Sequence, residues 1–261
     1  MPISGNLYYS FHRDDAAVYP PVVLIHGAGG MHLYWPPEIR RLPGFCVYAI
    51  DLPGHGKSEK RNGQQTIGDY ASYLVQWLES IQLRRAVIVG HSMGGAIALV
   101  LALHHPEYIV GLGLIGSGAR LRVHPELLNY AADQTTFYKA AALLVSCSFS
   151  PSAPSRLVEL ATKRMEDNRQ SVLYGDLQAC NGFDVMDRLG SIQQDTLVLC
   201  GADDQMTPVR YAQYLASTIP NAQLKVIPNA GHMVMLEQPQ LVADSLLSYL
   251  KNIKFHPGEG N

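Results

Sequence analysis

At 261 residues, 47% of them hydrophobic, the chain suits one sizeable core with a small insertion better than two independent domains. Its 20 Lys plus Arg against 22 Asp plus Glu leave a formal net charge of −2, which gives neither a nucleic-acid footprint nor a polybasic membrane patch. The longest apolar run, near residues 96–103, is far too short to span a bilayer.

The first residues, Met-Pro-Ile-Ser-Gly-Asn, have no basic start followed by an apolar stretch, so no secretory signal is expected. Cys46, Cys147, Cys180 and Cys200 lie far apart without a CxxC, and Cys46 and Cys200 fall in strand-like apolar runs. They read as reduced core cysteines of a cytoplasmic protein. In chain order, apolar strands are expected at 22–25, which is apolar throughout, and at 46–50, 86–89, 111–115, 196–200 and 224–227. Apolar runs without alternation point to a sheet covered on both faces. Helical patterns lie between them at 66–81, 94–104, 210–219 and 241–253; the first carries Ile67, Tyr70, Leu74, Trp77, Leu78 and Ile81, with Thr66 as N-cap and Asp69 three residues on. Strand and helix in alternation argue for a mainly parallel α/β sheet. Residues 120–182 break the pattern: helices are expected at 126–134, 136–147, 155–167 and 169–180, punctuated by Pro125, Pro151 and Pro154. This gives a core of 1–119 and 183–261 with an all-helical cap at 120–182. A frayed tail is expected after Phe255.

The most informative line is Val87-Ile88-Val89-Gly90-His91-Ser92-Met93-Gly94-Gly95-Ala96: strand, Gly-x-Ser-x-Gly, helix. The chain must turn sharply from strand to helix. That places Ser92 on a strained backbone at the carboxyl edge of the sheet, with Gly90 and Gly94 removing side chains that would clash. The helix amino terminus behind it favours developing negative charge.

With this turn the chain resembles the α/β-hydrolase family over nearly its whole length. His26-Gly27-Ala28-Gly29-Gly30 matches the family's oxyanion loop, Asp51-Leu52-Pro53-Gly54-His55-Gly56-Lys57-Ser58 its D-x-P-G-x-G-x-S turn, and Gly231-His232 with Glu237-x-Pro239 its C-terminal histidine motif. The resemblance implies Ser92 as nucleophile. It implies His232 as general base, since the order Ser, acid, His places His26 and His55 too early; those two are read as loop-bracing side chains. The acid falls in Gly201-Ala202-Asp203-Asp204-Gln205-Met206-Thr207-Pro208. The family's spacing to the proline selects Asp204, with Asp203 as the alternative. By the same resemblance the oxyanion hole is formed by the backbone N–H groups of Met93 and Ala28, with Gly29 the alternative to Ala28. Tyr130, Phe137, Tyr138, Leu143 and Leu144 of the cap are candidates for an apolar acyl pocket, and Gly29, Tyr130, Phe137 and Tyr138 are taken as substrate-binding residues.

No metal site, phosphate-binding loop or cofactor signature is present in the sequence: there is no HExxH and no Cys/His ligand cluster. Serine at the turn argues against dehalogenases and epoxide hydrolases, which carry aspartate there. Carbon–carbon bond hydrolases of ring cleavage usually have Ser-Gly-Pro-Gly in the oxyanion loop and tryptophan after the histidine. Here the residues are Ala28-Gly29-Gly30 and Met233. Perhydrolases share the Ser-Met-Gly-Gly turn, as do monoacylglycerol lipases, but no membrane-docking face is evident. The expectation is hydrolysis of small to medium carboxylic esters or lactones, with a small-molecule substrate as the partner. Carbon–carbon bond hydrolysis and a weakly catalytic small-molecule receptor are the alternatives.

Overall fold

The computed structural model describes residues 3–4, 7–60 and 62–253; the tail expected after Phe255 lies outside them. The strands are β1 (Ile3–Ser4), β2 (Leu7–His12), β3 (Val22–Ile25), β4 (Val47–Ile50), β5 (Ala86–His91), β6 (Ile109–Ile115), β7 (Asp195–Gly201) and β8 (Ala222–Ile227). The α-helices are α1 (Pro37–Arg40), α2 (Ile67–Ser80), α3 (Met93–His104), α4 (Pro125–Ala132), α5 (Phe137–Ser148), α6 (Ser155–Glu166), α7 (Gln170–Gly182), α8 (Val209–Thr218), α9 (Val234–Glu237) and α10 (Pro239–Leu250). The sheet order is β1-β2-β4-β3-β5-β6-β7-β8; β1–β2 and β2–β4 are antiparallel and every other pair is parallel. This is the α/β-hydrolase fold that the sequence resembles.

The strands from β3 to β7 are buried on both faces because helices cover both. Val23, Ile25 and Ile88 point into one core with α2, α3 and α8; Val22, Leu24, Val87 and Val89 point into the other with α1 and α10. Helix α3 is apolar nearly all round, as a helix packed on several sides must be. Thr66 caps α2 as expected, its Oγ1 accepting from the Asp69 N–H at 3.1 Å. Two expectations need correction. β8 is the sheet edge, so its Leu224 and Val226 stand exposed instead of covered. Cys46 precedes β4 and is only half-buried; all four cysteines are unpaired.

Between β6 and β7 the described chain holds α4 to α7 and no strand. At the base of this insertion an isolated bridge pairs Arg120 with Asp184, and the Val185 N–H donates to the Ala119 carbonyl at 2.8 Å. Register brings the carboxyl ends of the central strands level: Ile25 lies beside Gly90, His91 beside Ile115, Ile115 beside Leu199 and Gly201 beside Ile227. The loops after β3, β5, β7 and β8 therefore open at one edge, where open parallel sheets bind their ligands.

Candidate active site

Ser92 caps α3 with φ 53° and ψ −116°, a left-handed backbone that a β-substituted residue adopts only when its surroundings force it. The sequence supplies the force. A Cβ on Gly90 would run into the Gly94 carbonyl, and one on Gly94 into the Ile25 carbonyl, so strand and helix can approach only with glycine at both places. The Ser92 N–H donates to the Ile115 carbonyl at 2.9 Å, and Ser117 Oγ donates to the Ser92 carbonyl at 2.8 Å. The side chain of Ser92 itself caps nothing and is left half-exposed.

His232, buried in the loop after β8, carries Nδ1 to 2.9 Å from Asp204 Oδ2. A ring nitrogen facing a carboxylate holds the proton, which leaves Nε2 as the free acceptor. Asp204 is held in turn: its Oδ1 accepts the N–H groups of Met206 and Thr207 at 2.9 and 2.8 Å, and its Oδ2 accepts the Thr207 hydroxyl at 2.8 Å. Burial works to raise the Asp204 carboxyl, but the charge and hydrogen bond of His232, with the bonds from Thr207, outweigh it and hold the group below its ordinary value. Asp203, the alternative acid, is exposed and accepts the Ser150 hydroxyl at 2.8 Å; the structure brings Asp204 and not Asp203 to His232.

The backbone around His232 is fixed from both sides. His91 Nε2 donates to the His232 carbonyl at 3.0 Å, and Glu237 Oε1 accepts the Gly231 N–H at 2.8 Å while its Oε2 accepts that of Ser150 at 2.8 Å. Sequence reasoning assigned no role to Thr207, Ser117 or Glu237's carboxylate. Thr207 and Glu237 lie within the quoted motifs, and that is the signal that could have flagged them.

Ser92 and His232 both line one cavity of about 430 Å³, together with Gly27 and Ala28 of the loop after β3. That volume lies in the range of small-molecule sites. Met93 begins α3 directly behind Ser92 and is buried. The rest of the wall is largely apolar and comes mostly from the helical insertion, through Leu121, Val123, Leu127, Leu143, Leu144 and Met165.

The expected pocket residues need correction. Phe137 is buried within the insertion, packed in the same apolar cluster as Ala140, Ala141 and Leu144. Tyr138 is 58% exposed, and the Tyr130 hydroxyl turns to Glu126 at 2.8 Å. None of these three rings lines the cavity, whereas Leu143 and Leu144 of the same helical segment do. Gly29 does not line it either. Its N–H is already donated to Asp176 Oδ2 at 2.8 Å, so it is not free as an oxyanion donor. His26 and His55 do brace loops: His26 Nε2 accepts the Leu52 N–H at 3.0 Å and its Nδ1 faces the Gly27 carbonyl at 2.8 Å.

The family model for the alpha/beta hydrolase fold matches residues 20–239. A protein of Caulobacter sp. (strain K31) that bears the name carbamate hydrolase RutD is 27% identical over 94% of this chain and 96% of its own length. A pimeloyl-[acyl-carrier protein] methyl ester esterase of Vibrio vulnificus (strain YJ016) is 29% identical over 91% and 97%. Among solved structures, a thermophilic esterase from Thermogutta terrifontis superimposes with a TM-score of 0.85 at 26% identity, over 95% of this chain and 94% of that one.

Proposed function

The chain belongs to the alpha/beta hydrolase fold family, and from that premise we propose that it hydrolyses carboxylic esters or lactones of small to medium size through an acyl-enzyme on Ser92. The observation that carries the reading is the hydrogen bond between Asp204 and His232 beside the cavity that holds Ser92 on its strained turn. The esterases among its relatives support it.

In this mechanism His232 Nε2 takes the Ser92 proton as Oγ attacks the ester carbonyl. Asp204 holds the ring in the tautomer that accepts, and stabilises the imidazolium once formed. The N–H groups of Ala28 and Met93 receive the oxyanion of the tetrahedral intermediate. Collapse breaks the bond to the alkoxide, which leaves with the proton held by His232. Water then attacks the acyl-serine, His232 takes its proton, and a second collapse releases the acid as that proton returns to Ser92. Residues 120–182 act as a cap that excludes water and fits the acyl group. The four free cysteines suit a reducing cytoplasm.

A panel of p-nitrophenyl esters of increasing chain length, with a lactone and a carbamate added, tests the reading. Turnover that vanishes in Ser92→Ala, with the fold intact by circular dichroism, is the expected result. No turnover on any ester or lactone, or full activity in the alanine variant, refutes it.

A further inference from the structure

Two residues of the helical insertion hold one residue of the loop after β3 from both sides. Gly29 donates its N–H to Asp176 Oδ2 at 2.8 Å, and its carbonyl accepts from Asn168 Nδ2 at 3.0 Å. Gly29 has φ +62°, and a Cβ there would lie 2.8 Å from Met165 Sδ. The backbone immediately after Ala28 is thus kept in a left-handed conformation by polar groups supplied by the insertion.

Asp176 is wholly buried on α7 and takes two further donors, His55 Nε2 at 2.8 Å on Oδ2 and the Tyr70 hydroxyl on Oδ1. His55 Nδ1 lies 3.0 Å from the Pro53 carbonyl. Both ring nitrogens face acceptors, an arrangement that the doubly protonated ring satisfies on both sides. Burial works to lower the His55 value, but the charge and hydrogen bond of Asp176 outweigh it and hold the ring above the ordinary histidine value. The Tyr70 hydroxyl accepts the Gln64 N–H at 3.0 Å, which directs its own proton to Asp176. One carboxylate therefore joins the insertion to the loop after β3, the turn after β4 and helix α2. A cover needed only to keep water out would be served by apolar packing, because a buried ion pair is a weak source of stability.

We propose that Asp176, with Asn168, positions the loop that presents the Ala28 N–H, so that the helical insertion governs the chemical step as well as the fit of the acyl group. The inference rests on the ester-hydrolase reading and on Ala28 as oxyanion donor. Neither Asp176 nor Asn168 lines the cavity, so both act through the loop as positioning residues.

The test compares Asp176→Asn and Asn168→Ala with the native chain on p-nitrophenyl butyrate, at a temperature where melting curves show each variant folded. Asp176→Asn keeps one acceptor oxygen and turns the other position into an N–H donor, so either the Tyr70 hydroxyl on Oδ1 or both Gly29 and His55 on Oδ2 lose their acceptor. The expected result is a fall in kcat of about 10- to 100-fold with KM changed less than about twofold. The Ki of a trifluoromethyl ketone, which forms a tetrahedral adduct with a serine, rises by a similar factor. Asn168→Ala removes the contact to the Gly29 carbonyl together with those to the Arg164 and Met165 carbonyls at the end of α6, leaves the Asp176 bonds in place, and shifts kcat the same way by a smaller factor. If Asp176→Asn does not fold, the half-buried Asn168 decides alone. Native kcat in the folded variants overturns the proposal while leaving the esterase reading in place. A rise in KM alone, or loss only in proportion to unfolded protein, overturns it likewise. Absence of turnover in the native chain removes the esterase reading and the proposal together.

Discussion

Gly201, at the end of β7, lies so close to Ala230 that a Cβ on it would run into the carbonyl oxygens of Ala230 and Gly231. The Asp203 N–H donates to the Ala230 carbonyl at 2.9 Å, and the Ala202 N–H to that of Ile227 at 2.8 Å. The turn that carries Asp204 and the loop that carries His232 are therefore joined main chain to main chain. Gly201→Ala should force them apart. A displacement of about 1 Å can cost about 100-fold in rate, so kcat should fall by at least that order, and the melting temperature with it. An alanine variant with native kcat would show that this contact has slack.

The two neighbouring acids separate cleanly in environment. Asp204→Asn removes the carboxylate that fixes the His232 tautomer and should lower kcat on the order of 10⁴-fold. Asp203→Asn touches an exposed group bonded to Ser150 and should change kcat less than about threefold, in line with a surface substitution. Steady-state kinetics on both variants settles the assignment; reversed magnitudes would move the acid by one residue.

The α5 residues carry three further predictions. Leu143→Ala enlarges the cavity wall and should shift preference towards longer acyl chains. Phe137→Ala should leave preference unchanged and lower stability by about 3–5 kcal/mol, the usual cost of an aromatic deleted from a core. Tyr138→Ala, on an exposed ring, should change neither. Chain-length profiles and urea melts on the three variants check this. A preference shift in Phe137→Ala would contradict the packing.

Buried neutral histidines set the acid side of the stability curve. Burial, aided by the neighbouring His55, lowers His26 to about 4, and burial, aided by His232, lowers His91 to about 3. Each is depressed below its unfolded value near 6.5. The unfolded chain therefore binds more protons below about pH 6.5, and stability is lost as pH falls from there towards the folded values. The slope approaches about 1.4 kcal/mol per pH unit for each group. The raised His55 acts on the other side: it supports the fold below about pH 6.5 and loses that support as pH rises through its folded value. Urea midpoints at pH 7, 6 and 5 should decline, and less steeply in His91→Gln. Constant midpoints over that range would show that these rings are not buried neutral.

The nucleophile turn was readable because its cause is local: two glycines and a serine between an apolar strand and an apolar helix leave little freedom. The parallel sheet was readable for the same reason, in unbroken runs such as Val22–Ile25. Strand β2 was not, since Leu-Tyr-Tyr-Ser-Phe-His pairs antiparallel at the sheet's margin and shows neither an unbroken apolar run nor a turn signal. The cavity wall was only partly legible. Helical spacing places Phe137, Leu144 and Val145 on inward positions of α5, but which inward neighbour they meet, the other inserted helices or the cavity, depends on packing between elements. Asp176 did leave a signal. It is an acid amid Val172, Leu173, Leu177, Ala179 and Cys180 on the buried face of α7, where a charge has to find a partner.

The cavity wall has a composition with its own consequence. Met165, Met206 and Met233 stand around it with Cys147 and Cys180. Thioether chains are unbranched and polarizable, and they change rotamer at little cost, so such a surface can re-form around guests of different shape. Breadth of acceptance then depends on the sulfur staying reduced. Peroxide converts methionine to a sulfoxide, and each added oxygen would stiffen and polarise the wall. On the ester-hydrolase reading proposed above, oxidation of these sulfurs should show first as a narrowing of the acyl groups turned over, ahead of any loss at Ser92 itself.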